Sequence, residues 1–165
     1  MASNTLQNYE QLGYGAPGLS MHRAKAVQVI GDAVATRTLT AKEAGATCLL
    51  DRAAGVVYTL PVPVAGMTFE FFATVSVTSN SYKVITNSAA VFLLGAVAFG
   101  SATLAEGGGA FSGDGTSHVA ITSNGSTTGG LIGTRFTVTA LSATQWAISG
   151  IEVGSGITVT PFATT

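Results

Sequence analysis

The stretch Thr68-Phe69-Glu70-Phe71-Phe72-Ala73-Thr74-Val75-Ser76-Val77 decides the fold, because apolar and polar side chains alternate along much of its length. Successive side chains of a β-strand point to opposite faces, so a period of two predicts a strand with one buried face. The residues that share this face are Phe69, Phe71, Val75 and Val77. Phe72 lies on the opposite face, so the second face of this strand also has apolar content to cover.

The same kind of pattern recurs on both sides of this stretch, in short runs separated by turn residues about every 8 to 12 positions. Strands are predicted at residues 24–30, 37–39, 47–51, 56–60, 82–86, 91–94, 96–99, 118–122, 135–139, 145–149 and 156–160. This spacing favours an all-β fold, a single β-sandwich or jelly-roll-like domain over residues 24–165.

Three connections are predicted from their turn residues. Ser79-Asn80-Ser81 is expected to join residues 68–77 to 82–86 as a hairpin, and Asn124-Gly125 is a hairpin signal after the strand 118–122. The glycine-rich residues 105–117 are expected to form a loop. A capping box in Thr40-Ala41-Lys42-Glu43, with Gly45 as its left-handed stop, predicts one helical turn between strands.

Residues 1–23 lack both the strand and the helix period and are predicted to form an extended N-terminal arm. A disordered tail is one interpretation of this composition, and an arm held by a neighbouring subunit is the other. The arm's singly spaced apolar residues and its proline are then the expected partner-binding positions: Leu6, Tyr9, Leu12, Tyr14 and Pro17.

Composition excludes several classes of function. Asp, Glu, Lys and Arg make up 9% of the chain, against about 25% in typical soluble domains, and the formal net charge is −1. Such a chain has no basic surface to attract nucleic acid, while its uncharged surface favours burial in permanent contacts, as in a homo-oligomer. The longest apolar run, residues 89–99, is shorter than the roughly 18 residues that a membrane span needs. No signal peptide precedes the first strand, so synthesis in a cytoplasm without export is expected.

Side chains for chemistry are scarce. The histidines are His22 and His118, and the cysteine, Cys48, reads as a small buried apolar residue. A triad of Asp114, Ser117 and His118 is disfavoured because neighbours on a strand face opposite ways. A metal site at Asp114 and His118 would lack further ligands, with calcium on Asp114 and loop carbonyls as a minor alternative. We therefore expect no enzyme, no catalytic residue, no cofactor and no metal.

Two segments resemble virion proteins of tailed bacteriophages. Residues 39–51 contain Leu39-Thr40, Gly45 and Leu50-Asp51. Residues 55–66 continue the pattern with Gly55, Thr59-Leu60-Pro61, Pro63 and Gly66, and an aromatic strand follows. The ending 146–150 and 156–162 also resembles such proteins. The resemblance covers about half of the chain. It implies a head decoration, or cement, protein: a small β-domain, usually trimeric, on the outer surface of the capsid, with an arm that reaches across neighbouring capsid subunits.

The expected function is therefore stabilisation of a phage head by binding between subunits of the major capsid protein. Phe92, Leu94, Val97 and Phe99 are expected to pack in the core or at a subunit interface. The alternative is a tail appendage or host-receptor module that binds a glycan through residues 105–117 or through the aromatic residues Trp146, Tyr82 and Tyr58. For Trp146, which alternates with Ile148, core packing is favoured over exposure. An enzyme would need Glu70 or Asp114 as its acid or base.

Overall fold

The computed structural model describes residues 28–101 and 109–165. Twelve strands are found in these ranges, and the one helical element there is a 3-10 helix at Ala41–Glu43. The strands are β1 Val29–Ile30, β2 Thr36–Thr38, β3 Thr47–Leu50, β4 Val56–Thr59, β5 Thr68–Ala73, β6 Tyr82–Ile85, β7 Phe92–Ser101, β8 Ala110–Asp114, β9 Ala120–Ser123, β10 Arg135–Ala140, β11 Gln145–Gly154 and β12 Phe162–Ala163. The predicted arm, residues 1–23, and the first predicted strand positions, 24–27, lie outside the described residues.

The strands form two sheets. The seven-stranded sheet has the order β1-β3-β5-β10-β11-β7-β8, and the five-stranded sheet has the order β12-β9-β6-β4-β2. Both sheets are mixed: β1-β3, β3-β5 and β7-β11 are parallel pairs in the first sheet, as are β2-β4 and β4-β6 in the second. The predicted all-β sandwich is confirmed, with parallel pairs that short turns alone cannot produce.

The core lies between the two sheets. Tyr58 of β4 meets Phe71 of β5 edge to face, with ring centroids 5.5 Å apart, and its hydroxyl donates to the Leu49 carbonyl of β3 at 2.9 Å. Trp146 of β11 is fully buried beside Phe69. Most of the longer strands follow the period of two, for example β5, whose odd-numbered residues are all buried. The alternation in residues 68–73 therefore does set the orientation of this strand.

The predicted hairpin between residues 68–77 and 82–86 is wrong. β5 is paired on one side with β3 and on the other with β10, so no edge remains for β6. β6 instead lies in the other sheet, between β4 and β9. The turn between them packs on the loop after β3, where the Ala53 carbonyl accepts from the backbone N–H of Thr78 at 2.8 Å. This turn crosses the sandwich rather than closing a hairpin.

The Asn124-Gly125 signal also marks a turn but not a hairpin between strands. The Gly125 N–H donates to the Gly129 carbonyl at 2.7 Å, and Ser126 forms an isolated bridge with Gly129. β9, which precedes this turn, pairs with β6 and β12, whereas β10, which follows it, pairs with β5 and β11. Residues 124–134 thus connect the two sheets.

Three further predictions need correction. Within residues 105–117, Ala110–Asp114 is strand β8, paired with β7. Residues 91–94 and 96–99 belong to a single strand, since Phe92–Ser101 pairs without interruption with β11. Residues 156–160 form no strand. They lie against the 124–129 turn, where the Val159 N–H donates to the Thr127 carbonyl, and the last strand is Phe162–Ala163.

The capping-box prediction is confirmed. Glu43 Oε2 accepts from the Thr40 backbone N–H at 2.7 Å and from the Thr40 hydroxyl at 2.8 Å, and Gly45 has a φ of +89°. Glu43 Oε1 also accepts from Arg37 at 2.8 Å, which ties the 3-10 helix to β2. Burial acts to raise the pKa of Glu43, but the hydrogen bonds from Arg37 and Thr40 outweigh it and leave the pKa below its usual value.

Candidate functional site

The seven-stranded sheet is the broader of the two sheets, and its outward face, here called the outer face, is left uncovered in the described structure. Strand register places its residues in rows across the sheet. These rows are Val29, Thr47, Glu70, Thr137, Ser149, Ala96 and Ser112; then Leu49, Phe72, Arg135, Ile151, Ala98 and Ala110; then Thr68, Thr139, Ala147, Leu94 and Asp114. Short side chains dominate the centre, and those of Ser149, Ala96 and Ala98 are exposed there.

The outer face carries little charge. Its charged residues are Glu70, Arg135 and Asp114, all exposed. Glu70 accepts a hydrogen bond from the Thr47 hydroxyl at 3.0 Å. Arg135 has no ion-pair partner among the described residues, although Glu70 is its diagonal neighbour on the adjacent strand. A sheet face with three charged residues among its three rows has a low charge density, as interface cores do.

The four residues predicted for the core or an interface divide between the two faces of β7. Val97 and Phe99 point inward and are 0% and 5% exposed. Phe92 and Leu94 point outward, and Leu94 is 38% exposed. The inward neighbour of Leu94 is Leu93, which is fully buried. Sequence reasoning did not separate these residues because β7 is apolar on both faces, which removes the alternation that would have shown its orientation.

The residues of the disfavoured triad do come together, but as a structural turn. Asp114 accepts hydrogen bonds from the backbone N–H groups of Thr116 at 2.9 Å and Ser117 at 2.8 Å, and from the Ser117 hydroxyl. The Ser117 hydroxyl, followed by these backbone groups, lowers the pKa of Asp114 well below its usual range. His118 Nδ1 accepts from the Asp114 N–H at 3.2 Å rather than from a serine hydroxyl. The hydroxyl is thus bound to the carboxylate, with no base positioned to activate it.

Other candidates for chemistry are buried or isolated. Cys48 is fully buried, as predicted, and burial raises the pKa of its thiol to about 12. Within residues 28–101 and 109–165 no group of three or more His, Cys, Asp or Glu could hold a metal ion. Glu70 lies on the outer face with a threonine as its hydrogen-bond partner. Because its raised pKa keeps the Cys48 thiol protonated, this thiol is inert at neutral pH.

The aromatic residues considered for a glycan site are all in the core. Trp146 is 0% exposed, and Tyr58 and Tyr82 are each 1% exposed. The two tyrosine hydroxyls donate to the backbone carbonyls of Leu49 and Val75. A stacking platform for a sugar needs an accessible ring face, so these residues cannot form one in this structure.

Sequence reasoning missed the buried carboxyl group of Glu152 in β11 and the hydrogen-bond donors around it. Glu152 is 0% exposed and accepts hydrogen bonds from Ser123 Oγ at 2.8 Å, from the Gly130 N–H at 3.1 Å and from Thr134 Oγ1 at 3.2 Å. Burial raises the pKa of Glu152 to about 8, against the partly opposing effect of these hydrogen bonds. The signal was present, because Glu152 shares the face of Trp146 and Ile148 by the period of two. It went unseen because the strand was predicted to end at residue 149.

The predicted partner-binding residues of the arm, Leu6, Tyr9, Leu12, Tyr14 and Pro17, lie outside the described residues. In the described ranges, no helix has the length and apolar character to cross a membrane. No protein-family model matches the chain, and no curated protein or solved structure matches it.

Proposed function

We propose that this chain is a non-enzymatic structural protein of a tailed-phage virion, a decoration protein that binds the major capsid protein on the outer surface of the head. The single observation that carries the proposal is the outer face, a broad sheet surface made of small and apolar side chains with few charges. The resemblance of residues 39–69 to phage virion proteins supports the choice of partner. The proposed protein is made in the host cytoplasm and acts as a homotrimer.

The outer face and the arm would supply the contact together. Neighbouring strands lie about 4.8 Å apart and residues rise about 3.3 Å along a strand, so the three rows extend over a projected sheet area of roughly 500 Å². A stable interface buries about 800 Å² of accessible surface on each partner. Contacts from residues 1–23 would add to those of the face.

The described part of the chain begins at one edge of the outer face. β1, the first described strand, is the edge strand of the seven-stranded sheet, and Val29 is 62% exposed on the outer face. A fully extended arm of 23 residues would reach about 75 Å, enough to span neighbouring subunits of a shell. Binding through two linked contacts makes the second one effectively intramolecular, which raises the overall affinity.

Capsid binding by matched variants tests the proposal. Deletion of residues 1–20 and, separately, Ser149→Glu in the centre of the outer face should each reduce cosedimentation with capsid shells at least tenfold. Circular dichroism should show that both retain the β-fold, because Ser149 is exposed. Thr122→Glu, on the outward face of the five-stranded sheet beside Lys83, is the control and should bind normally. Undiminished binding of both test variants would overturn the proposal.

A further inference from the structure

Residues 124–134 are held to the sandwich by the carboxyl group of Glu152. The carboxyl belongs to β11 of the seven-stranded sheet, whereas Ser123 ends β9 of the five-stranded sheet, and Gly130 and Thr134 lie in the connecting segment. One side chain thus joins both sheets to the segment between them. A Cβ atom on Gly129 would overlap Oε2 of Glu152, so the backbone is packed directly on the carboxyl.

Hydrogen bonds to neighbouring strands and turns also hold the segment. Val77 donates its N–H to the Gly130 carbonyl at 3.0 Å, and Leu131 donates to the Val153 carbonyl at 3.0 Å. The carbonyls of residues 126–127 accept from residues 155 and 159, and residues 132–134 bond to residues 73–76. Among the described residues that bond to the segment, Glu152 is the one whose side chain titrates, so it is the attachment that can depend on pH.

No opposite charge compensates an ionised Glu152 in the described structure. Residues 124–134, the 155–160 stretch, β7 and β9 contain no titratable side chain. The titratable residues of the other packed elements are Tyr82 and Lys83 of β6 and Arg135 of β10. Tyr82 bonds to the Val75 carbonyl, Lys83 to the Thr165 carbonyl, and Arg135 points to the outer face. A buried carboxylate without a cation is strongly disfavoured, so the group keeps its proton when the segment is docked.

We propose that Glu152 is a proton-dependent anchor: residues 124–134 stay docked while its carboxyl is protonated and open locally as the proton is lost. The docked carboxyl binds its proton more tightly than a solvated glutamate, whose ordinary pKa is 4.5. By linkage, the docked state is favoured fully at pH values below the solvated pKa. The contribution of Glu152 to the stability of the docked state falls as pH rises toward the docked pKa of about 8. Above that pH the contribution stays constant.

Hydrogen exchange measured on the full chain tests this proposal. After correction for the intrinsic exchange rate, protection of the amides of residues 124–134 should fall about tenfold per pH unit between about pH 5 and pH 8, then level off. The amides of the β10–β11 ladder, such as Thr137 and Val138, should stay more protected than the segment at every pH, because local opening of the segment does not expose them. In Glu152→Gln, which preserves the side-chain shape without a titrating group, protection of the segment should not vary with pH.

A second variant keeps the test decisive if Glu152→Gln does not fold. Ser123→Ala removes a donor that stabilises the ionised carboxyl, so protection should level off at a higher pH than in the unmodified protein. The proposal is overturned by a pH-independent segment in the unmodified protein, by equal slopes in Glu152→Gln, or by an unmoved plateau in Ser123→Ala. Equal protection of the segment and the β10–β11 ladder at every pH would also overturn it, because the segment would then open only by global unfolding.

Discussion

At the residue scale, two glycines of the 124–134 segment differ in what surrounds them. Gly129 and Gly133 both have positive φ angles, of +90° and +94°. Space for a Cβ is blocked at Gly129 by the Glu152 carboxyl, whereas at Gly133 the nearest atom is Val153 Cγ2 at 3.9 Å. Their backbone requirements are the same, so a comparison of the two isolates the contact with Glu152.

Gly129→Ala should therefore destabilise the protein more than Gly133→Ala. Each variant carries the cost of a left-handed alanine, about 1 to 2 kcal/mol. Gly129→Ala in addition displaces a buried carboxyl from its donors, and we expect a total loss of about 3 to 4 kcal/mol. Urea unfolding at pH 6 measures both free energies. Equal losses would mean that the turn is not packed on Glu152 as described.

At the element scale, the 3-10 helix depends on Glu43. Its carboxylate accepts from Thr40 and from Arg37, and its lowered pKa means that it stabilises the fold in the ionised form. This contribution is present above the unfolded pKa of about 4.5 and is lost as pH falls through the lower folded pKa.

Glu43→Gln should lower the free energy of unfolding by about 1 kcal/mol at pH 7, since it weakens the cap and the ion pair. The difference from the unmodified protein should shrink as pH falls below about 4.5 and vanish once the carboxyl group is protonated in the folded protein. Thermal unfolding across this pH range is the measurement. A difference that stays constant down to pH 3 would show that the charge of Glu43 contributes nothing.

Sequence patterns predicted strands better than they predicted strand partners. Alternation in residues 68–73 reports which side chains face the core, and that face is the same whichever strand lies beside it. The pairing of β5 with β3 and β10 depends on contacts distant in sequence, which a turn such as Ser79-Asn80-Ser81 does not encode. β8 was missed because Ala110–Asp114 lies within the glycine-rich residues 107–115 and its strand geometry comes from pairing with β7.

Some features of the candidate sites could likewise be predicted from the sequence, and others could not. The shortage of catalytic side chains could be read from composition, and the burial of Trp146 followed from its alternation with Ile148. The outer face could not be predicted, because it exists only when strands from five separate parts of the chain are placed side by side in register. The burial of Glu152 could be predicted only if β11 was known to end at Gly154, four residues beyond Gly150, where the apolar alternation breaks.

At the scale of the whole molecule, the proposed homotrimer can be tested without a partner. Light scattering of the purified protein should give three times the chain mass of 16.5 kDa. A chain with so few charges has little electrostatic repulsion to keep copies apart, and association removes uncharged surface from water. A stable monomer at micromolar concentration would contradict the trimer.

The central proposal, a non-enzymatic decoration protein, is tested most directly by cosedimentation of the full chain with capsid shells of the phage that is proposed to encode it. The account predicts saturable binding, with a fixed number of copies per shell at saturation and bound protein that raises the temperature at which the shells disassemble. Folded protein that stays in the supernatant at every concentration, and shells whose disassembly temperature does not change, would contradict it.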